Sequence, residues 1–207
     1  MLLAARQSIS VASSGVPSIY IPARQFFNIS RDLLGGAQNE NWIGYSFDIT
    51  VRILTSAPSG NDYTYGILGP AGINVWNKYF GIYGRFATWF KAPDTGINIS
   101  QYVYDGEFHD IHIERNLVII DGTSHTFTGG SWTTSGYWSG FGIGSPNNNV
   151  QKLHIRSCSG YDSSRNVIFS LSPTKDSNGN GAFKDSVTGT TLSAAYTDRD
   201  MHVYVVE

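Results

Sequence analysis

Strict alternation of apolar and polar side chains constrains this chain more than any other feature. Between Gly44 and Leu54, Tyr45, Phe47, Ile49, Val51 and Ile53 fall on one parity, while Ser46, Asp48, Thr50 and Arg52 fall on the other. Successive side chains of an extended strand point to opposite faces, so this pattern fits a strand with one buried face and one wet face. Phe108–Glu114 repeats it, with His109, Ile111 and Ile113 against Asp110, His112 and Glu114. So does Gln151–Arg156, with Leu153 and Ile155 inward and Lys152, His154 and Arg156 outward. Val167, Phe169 and Leu171 mark another strand.

Less regular segments predict further strands at Ser18–Pro22, Tyr63–Leu68, Ile73–Trp76, Phe80–Phe90, Ile97–Tyr104, Leu117–Ile120, His125–Thr128, Trp138–Ile143 and His202–Val206. Turn residues separate them, among them Gly69-Pro70, Asp105-Gly106, Asp121-Gly122 and Asn178-Gly-Asn-Gly181. Many short strands at this spacing imply an all-β, two-layer antiparallel sandwich. No segment sustains a 3.6-residue period; Ser30–Leu34 offers one helical turn, with Ser30 as its cap and Gly35 as its stop. Residues 1–16, Ser/Ala-rich with a Ser-Ser-Gly break, read as a flexible arm, and residues 17–207 as one domain.

Charged residues make up 14% of the 207, against about 25% in ordinary domains, while aromatics reach 14% and glycine contributes 23 residues. A neutral polar, aromatic-rich surface suits contact with glycans or proteins. A net charge of −2 and the lack of any Lys/Arg run argue against nucleic acid. No apolar run approaches the roughly 20 residues of a membrane span. The single cysteine, Cys158, reads as a small buried hydrophobe. The start, Met1-Leu-Leu-Ala-Ala-Arg6, lacks the basic region and apolar length of a signal peptide. An outward-facing composition without an export signal points to a virion component, made in the host cytoplasm and exposed on lysis.

The segment Tyr104-Asp-Gly-Glu-Phe-His-Asp-Ile-His-Ile-Glu114, followed by Ile119-Ile-Asp-Gly122, resembles the hallmark of laminin-G-like and concanavalin A-like jelly rolls, with Phe108 where that family more often has Trp. Gly140-Phe-Gly-Ile-Gly144 looks like the family's glycine-rich strand, and Val150–Arg156 like the strand before its closing segment. Leu171–Gly189, with its Asp/Asn/Gly turn and the step from Asp185 to Gly189, is similar to the closing hairpin of such domains in phage and gut-bacterial surface proteins. The resemblance spans residues 17–207. It implies a concanavalin A-like jelly roll used for binding or assembly; the same fold hosts lectins, glycanases and adhesion modules.

Family glycanases carry Glu-x-Asp-x-x-Glu on one strand, and glycoside hydrolysis needs two spaced carboxylates. None of Glu40, Glu107, Glu114 and Glu207 begins that motif, so no catalytic residue is assigned and the chain is expected not to be an enzyme. Asp105-Gly-Glu107 reads as a solvated turn. His109 and His112, three apart on a strand, face opposite sides and do not make a metal pair. Asp176, Asn178 and Asn180 mimic the opening of a calcium loop, but its twelfth position is Val187 and no helices flank it. Calcium is thus the one cofactor left open, against a plain Asn/Gly hairpin turn. Trp132, Tyr137 and Trp138, with Asn147, Asn148 and Asn149, are the candidates for stacking on and hydrogen-bonding to a sugar, against the commoner role of aromatics as core.

The expected function is that of a non-enzymatic bacteriophage virion protein, a fibre, tail or capsid decoration. Its expected partners are other virion proteins and host-surface glycans, and it is expected to form a homo-oligomer. The alternative is a secreted or cell-surface bacterial carbohydrate-binding module. A glycanase is a more distant third.

Overall fold

Side-chain parity becomes architecture in the strand Ser46–Ile53. In the computed structural model Phe47, Ile49, Val51 and Ile53 are all buried, while Asp48, Thr50 and Arg52 face outward and are only partly covered. The structure describes residues 16–22, 26–30, 45–57, 66–71, 80–83, 86–89, 97–127, 140–144, 152–194 and 204–206. In chain order the strands are β1 (Ser18–Ile21), β2 (Phe26–Ser30), β3 (Ser46–Ile53), β4 (Gly66–Ala71), β5 (Phe80–Tyr83), β6 (Phe86–Trp89) and β7 (Ile97–Asn98). A single helical turn, α1 (Ser100–Val103), follows. Then come β8 (Phe108–Glu114), β9 (Leu117–Ile120), β10 (Thr123–Thr126), β11 (Gly140–Gly144), β12 (Leu153–Tyr161), β13 (Val167–Lys175), β14 (Gly181–Asp185), β15 (Thr191–Ser193) and β16 (Tyr204–Val206).

Among the described residues these strands form two antiparallel sheets. The larger runs β10-β9-β8-β3-β12-β13-β14-β15, with β1 joined to the first half of β12 and β16 joined to β1. The smaller runs β2-β11-β4-β5-β6-β7. Their inner faces share one apolar cluster, in which Phe27 of β2 meets Phe183 of β14 edge-on at 4.7 Å between ring centroids. Each large apolar side chain sealed there contributes roughly 1.5–3 kcal/mol relative to exposure. The protein is thus an all-β antiparallel sandwich, as its alternation implies. The described strand order does not by itself define a jelly roll.

Several expected boundaries moved, each for a local reason. Gly69-Pro70 is not a turn: β4 runs through it, and Pro70 lies beyond the last β4–β5 partner pair, Leu68 with Ile82. Phe80–Phe90 divides into β5 and β6. Ile97–Tyr104 is not one strand. The Asn98 side chain accepts hydrogen bonds from the Ser100 amide and hydroxyl, and this local alternative bends the chain into α1. Ile99 and Val103, four apart, then enter the core together. The strand expected at His125 begins two residues earlier, because Asp121 (φ +49°) and Gly122 (φ +79°) make a two-residue hairpin turn that fixes Thr123 opposite Ile120. β12 continues five residues past Arg156, through a bulge between Ile155 and Ser157 that resets the parity.

Cys158 lies wholly inside the sandwich, and burial pushes its thiol far above its ordinary value, with the Asp48 charge adding to the shift. It is core, as read. The helical turn expected at residues 31–34, the strand Ile73–Trp76 and residues 1–15 lie outside the described residues; Ser30 itself ends β2.

Candidate functional site

The outward residues of β8, β3 and β12 line up in four rows across the large sheet. Register sets Glu114, Ser46 and Tyr161 side by side, then His112, Asp48 and Ser159, then Asp110, Thr50 and Ser157, then Phe108, Arg52 and His154. The middle rows floor a shallow hollow of about 310 Å³, lined by Asp48, Thr50, Asp110, His112, Ile119 and Gly122 among others. Ile119 reaches it because β9 places it opposite His112, and Gly122 comes from the β9–β10 turn. This volume is at the small end of the roughly 300–1,000 Å³ usual for ligand pockets.

Hydrogen bonds tie the rows together. His112 Nδ1 lies 2.6 Å from Asp48 Oδ1, and the Tyr161 hydroxyl donates to Asp48 Oδ2 at 2.8 Å. The Thr50 hydroxyl donates to Asp110 at 2.7 Å and accepts from Ser157 at 3.0 Å. Arg165, in the left-handed region at φ +66°, folds back over the sheet to donate to Glu114 at 2.7 Å and to Ser46 at 3.0 Å. The Asp48 hydrogen bond raises the His112 imidazole above its ordinary value, against burial and with help from Glu114. Burial pushes the Asp48 carboxyl upward, but bonding from His112 and Tyr161 outweighs it and holds the group low. His112 therefore lies between two acids, with its Nε2 3.7 Å from Glu114. Asp48 orients it as an acid orients a catalytic base, but among the described residues no hydroxyl or thiol bonds its second nitrogen. The arrangement offers carboxylate acceptors and hydroxyl donors beside an apolar wall, which is hydrogen-bonding chemistry.

On the opposite face His109 is buried, clamped by Asp121 at 2.7 Å (Nδ1) and Asp105 at 2.9 Å (Nε2). The two histidines thus face opposite sides, as their spacing requires. Asp105 also accepts the Glu107 amide at 2.8 Å, so Asp105-Gly-Glu107 is a turn. Burial pulls the His109 imidazole down, but bonding to the two carboxylates outweighs it and the net shift is upward. The Glu107 amide and then His109 hold Asp105 low. Asp121 ends low because bonding from His109 and the Asp110 amide overcomes burial.

These shifts set a pH window. A raised histidine stabilises the fold below its unfolded value near 6.5, and that contribution fades as pH climbs through the folded value. A lowered aspartate stabilises above 3.8 and loses its effect as pH falls through the folded value. Thermal stability is expected to be greatest between about pH 4 and 6.5 and to fall on both sides. His109→Gln should flatten the alkaline limb in a melting series from pH 3 to 9. An unchanged limb in that variant, and in His112→Gln, would refute the assignment.

The sugar-binding candidates Trp132, Tyr137, Trp138, Asn147, Asn148 and Asn149 lie outside the described residues. Asp176, Asn178 and Asn180 sit in the β13–β14 turn. There Asp176 Oδ1 accepts the amides of Asn178 and Asn180, each at 2.9 Å, and Oδ2 accepts the Ser193 hydroxyl at 3.3 Å. The Asp176 carboxylate thus organises the turn. Among the described residues no three His, Cys, Asp or Glu side chains cluster to hold a metal. The outer-face hollow was missed as a site. Its residues stand on the outward parity of strands that alternate clearly, but strand register, which brings them together, has no signature in the sequence. No known family model, no curated protein and no solved structure matches the chain.

Proposed function

We propose that this chain is a non-enzymatic recognition and assembly protein of a bacteriophage virion, built on a concanavalin A-like jelly roll, and that its outer-face hollow takes a neutral or acidic sugar of the host surface. The observation that carries this reading is the hollow itself, where Asp48 and Asp110 present carboxylate oxygens beside Thr50, His112 and the apolar Ile119. Paired acceptors suit vicinal sugar hydroxyls, and an aliphatic wall suits the C–H face of a ring. A histidine held as an ion-pair partner supports binding over turnover. The sparse charge and many neutral polar residues of the whole chain support an exterior location in the particle. In the particle the chain is taken to act as a homo-oligomer bound to other virion proteins.

The test is a glycan array followed by calorimetry on the best ligand. Asp110→Ala, which leaves the His112–Asp48 pair intact, is expected to weaken binding at least tenfold, about 1.4 kcal/mol. Mass spectrometry of purified virions should find the chain. Absence of binding to any glycan would end the sugar assignment, and absence from particles would end the virion assignment.

A further inference from the structure

The fourth outward row and the β12 bulge beside it hold two cations that have no counter-ion among the described residues. Arg52 of β3 sits between Phe108 and His154 in register. Arg156 is the extra residue of the β12 bulge, and the bulge turns its side chain outward beside that of Ser157. Its guanidinium crosses to β8 and lies 3.6 Å from the Phe108 ring centroid. Both arginines are half-buried, and the Nε of each is covered and has no hydrogen-bond partner. Among the described residues neither forms an ion pair; on this face Asp48 and Glu114 pair with His112 and Arg165. The nearest outward acid along β8, Asp110, already accepts the Thr50 hydroxyl. His154 is anchored through Nδ1 to the Ser18 hydroxyl at 3.1 Å, and exposed Lys152 precedes it by two residues. A half-buried guanidinium normally gains from an acceptor, and unspent buried donors call for a ligand group. Two planar guanidiniums, each with an Nε–H that has no partner, match the fork of a carboxylate or sulfate.

We infer that Arg52 and Arg156 form an anion subsite at the end of the hollow, which takes the carboxylate or sulfate group of an acidic saccharide. The inference rests on the carbohydrate reading of the hollow. Thr50 and Asp110, which line the hollow, precede Arg52 and follow Phe108 by two residues. Two residues along a strand span about 7 Å. A sugar ring in the hollow can therefore extend an acidic substituent onto the arginines. A chain with net charge −2 and, among the described residues, one such cation pair suits a single small anion better than a polyanion.

The test is a titration of nitrogen-15-labelled protein with sodium sulfate, glucuronic acid and glucose at fixed ionic strength, following the arginine Nε–H signals. Sulfate and glucuronic acid are expected to shift the Arg52 and Arg156 signals saturably, and glucose to leave them unmoved. Arg52→Gln with Arg156→Gln should weaken glucuronic acid binding at least tenfold, while Arg52→Lys restores only part of a single loss. The wild-type titration stands by itself if the double variant does not fold. No saturable shift, or an equal response at Lys152 and Lys184, overturns the subsite. Tighter binding of an acidic peptide than of a uronic acid oligosaccharide overturns the saccharide assignment. Neutral glycans bound without any sulfate response would sink the subsite and spare the hollow. A sulfate response without binding of any oligosaccharide would do the reverse.

Discussion

Gly160→Ala is expected to destabilise the protein by about 3 kcal/mol or more, among the largest effects of any single added methyl group here. Gly160 of β12 faces Phe169 of β13 in register, and the phenyl ring lies directly over the glycine. A Cβ at 160 would sit 2.8 Å from Cζ and 2.9 Å from Cδ1 of that ring, and closer still to Cε1. Real Cβ atoms do not approach carbon so closely. The ring cannot swing away, because Phe169 is fully buried in the core, 6.3 Å from the Phe47 ring. Valine should be worse than alanine. In urea denaturation Gly160→Ala should lower the midpoint, and with Phe169→Leu the two losses should sum to clearly more than the double variant shows. A change under 0.5 kcal/mol for Gly160→Ala would mean the ring does not lie where described.

The second large loss is expected at Asp185. It is completely buried, yet nearly every lone pair is used. Its Oδ1 accepts the Ser170 amide at 2.8 Å and the Val187 amide at 3.2 Å; its Oδ2 accepts the Thr188 amide at 3.2 Å and the Thr188 hydroxyl at 2.7 Å. Gly189, at φ +74°, closes the turn by donating its amide to the Asp185 carbonyl at 2.9 Å. One carboxylate therefore locks β13 to the loop that leads into β15. Asp185→Ala leaves three amides without this acceptor, and a loss of about 3–5 kcal/mol follows for a buried charged network of this kind. Asp185→Asn keeps one acceptor oxygen and should lose about half as much. Burial pushes the Asp185 carboxyl up, but the Ser170 amide, Thr188 and the turn amides outweigh it, so the group is held low. Its contribution is present above 3.8 and disappears as pH falls through the folded value, so Asp185→Asn should also weaken the acid limb of the stability curve. Chemical denaturation at pH 7 and pH 3 checks both points, and equal losses at the two pH values would contradict the second.

How much of this was legible beforehand depended on parity. β3 and β8 were readable residue by residue, because each buries one face and wets the other without interruption. β12 was readable only to Arg156, since the bulge places two successive residues outward and the alternation changes phase. In β2 only the last residue, Ser30, carries a local signal, that of a helix cap, and the four residues before it are too short a run to mark a strand. β14 falls inside the Leu171–Gly189 segment that resembles a closing hairpin, whereas the three residues of β15 are too few to show an alternation of their own. For the candidate site the division is sharper. Asp48, Thr50, Asp110 and His112 were recognisable as outward, but nothing local states that Thr50 lies opposite Asp110 or that Tyr161 reaches Asp48. Those are register facts, fixed by the packing of the buried face. The same holds for Arg52, opposite Phe108, and for Arg156, whose reach to the Phe108 ring depends on its being the extra residue in β12.

The pairing of β1 with β16 carries a mechanical consequence. Ser18 lies opposite Val206 and Tyr20 opposite Tyr204, so the two ends of the described chain leave the sheet side by side from one corner. Tension applied between those ends would load the backbone bonds one after another, as a zipper opens, and would not shear them all together. A load on this domain is better borne broadside than through those two ends.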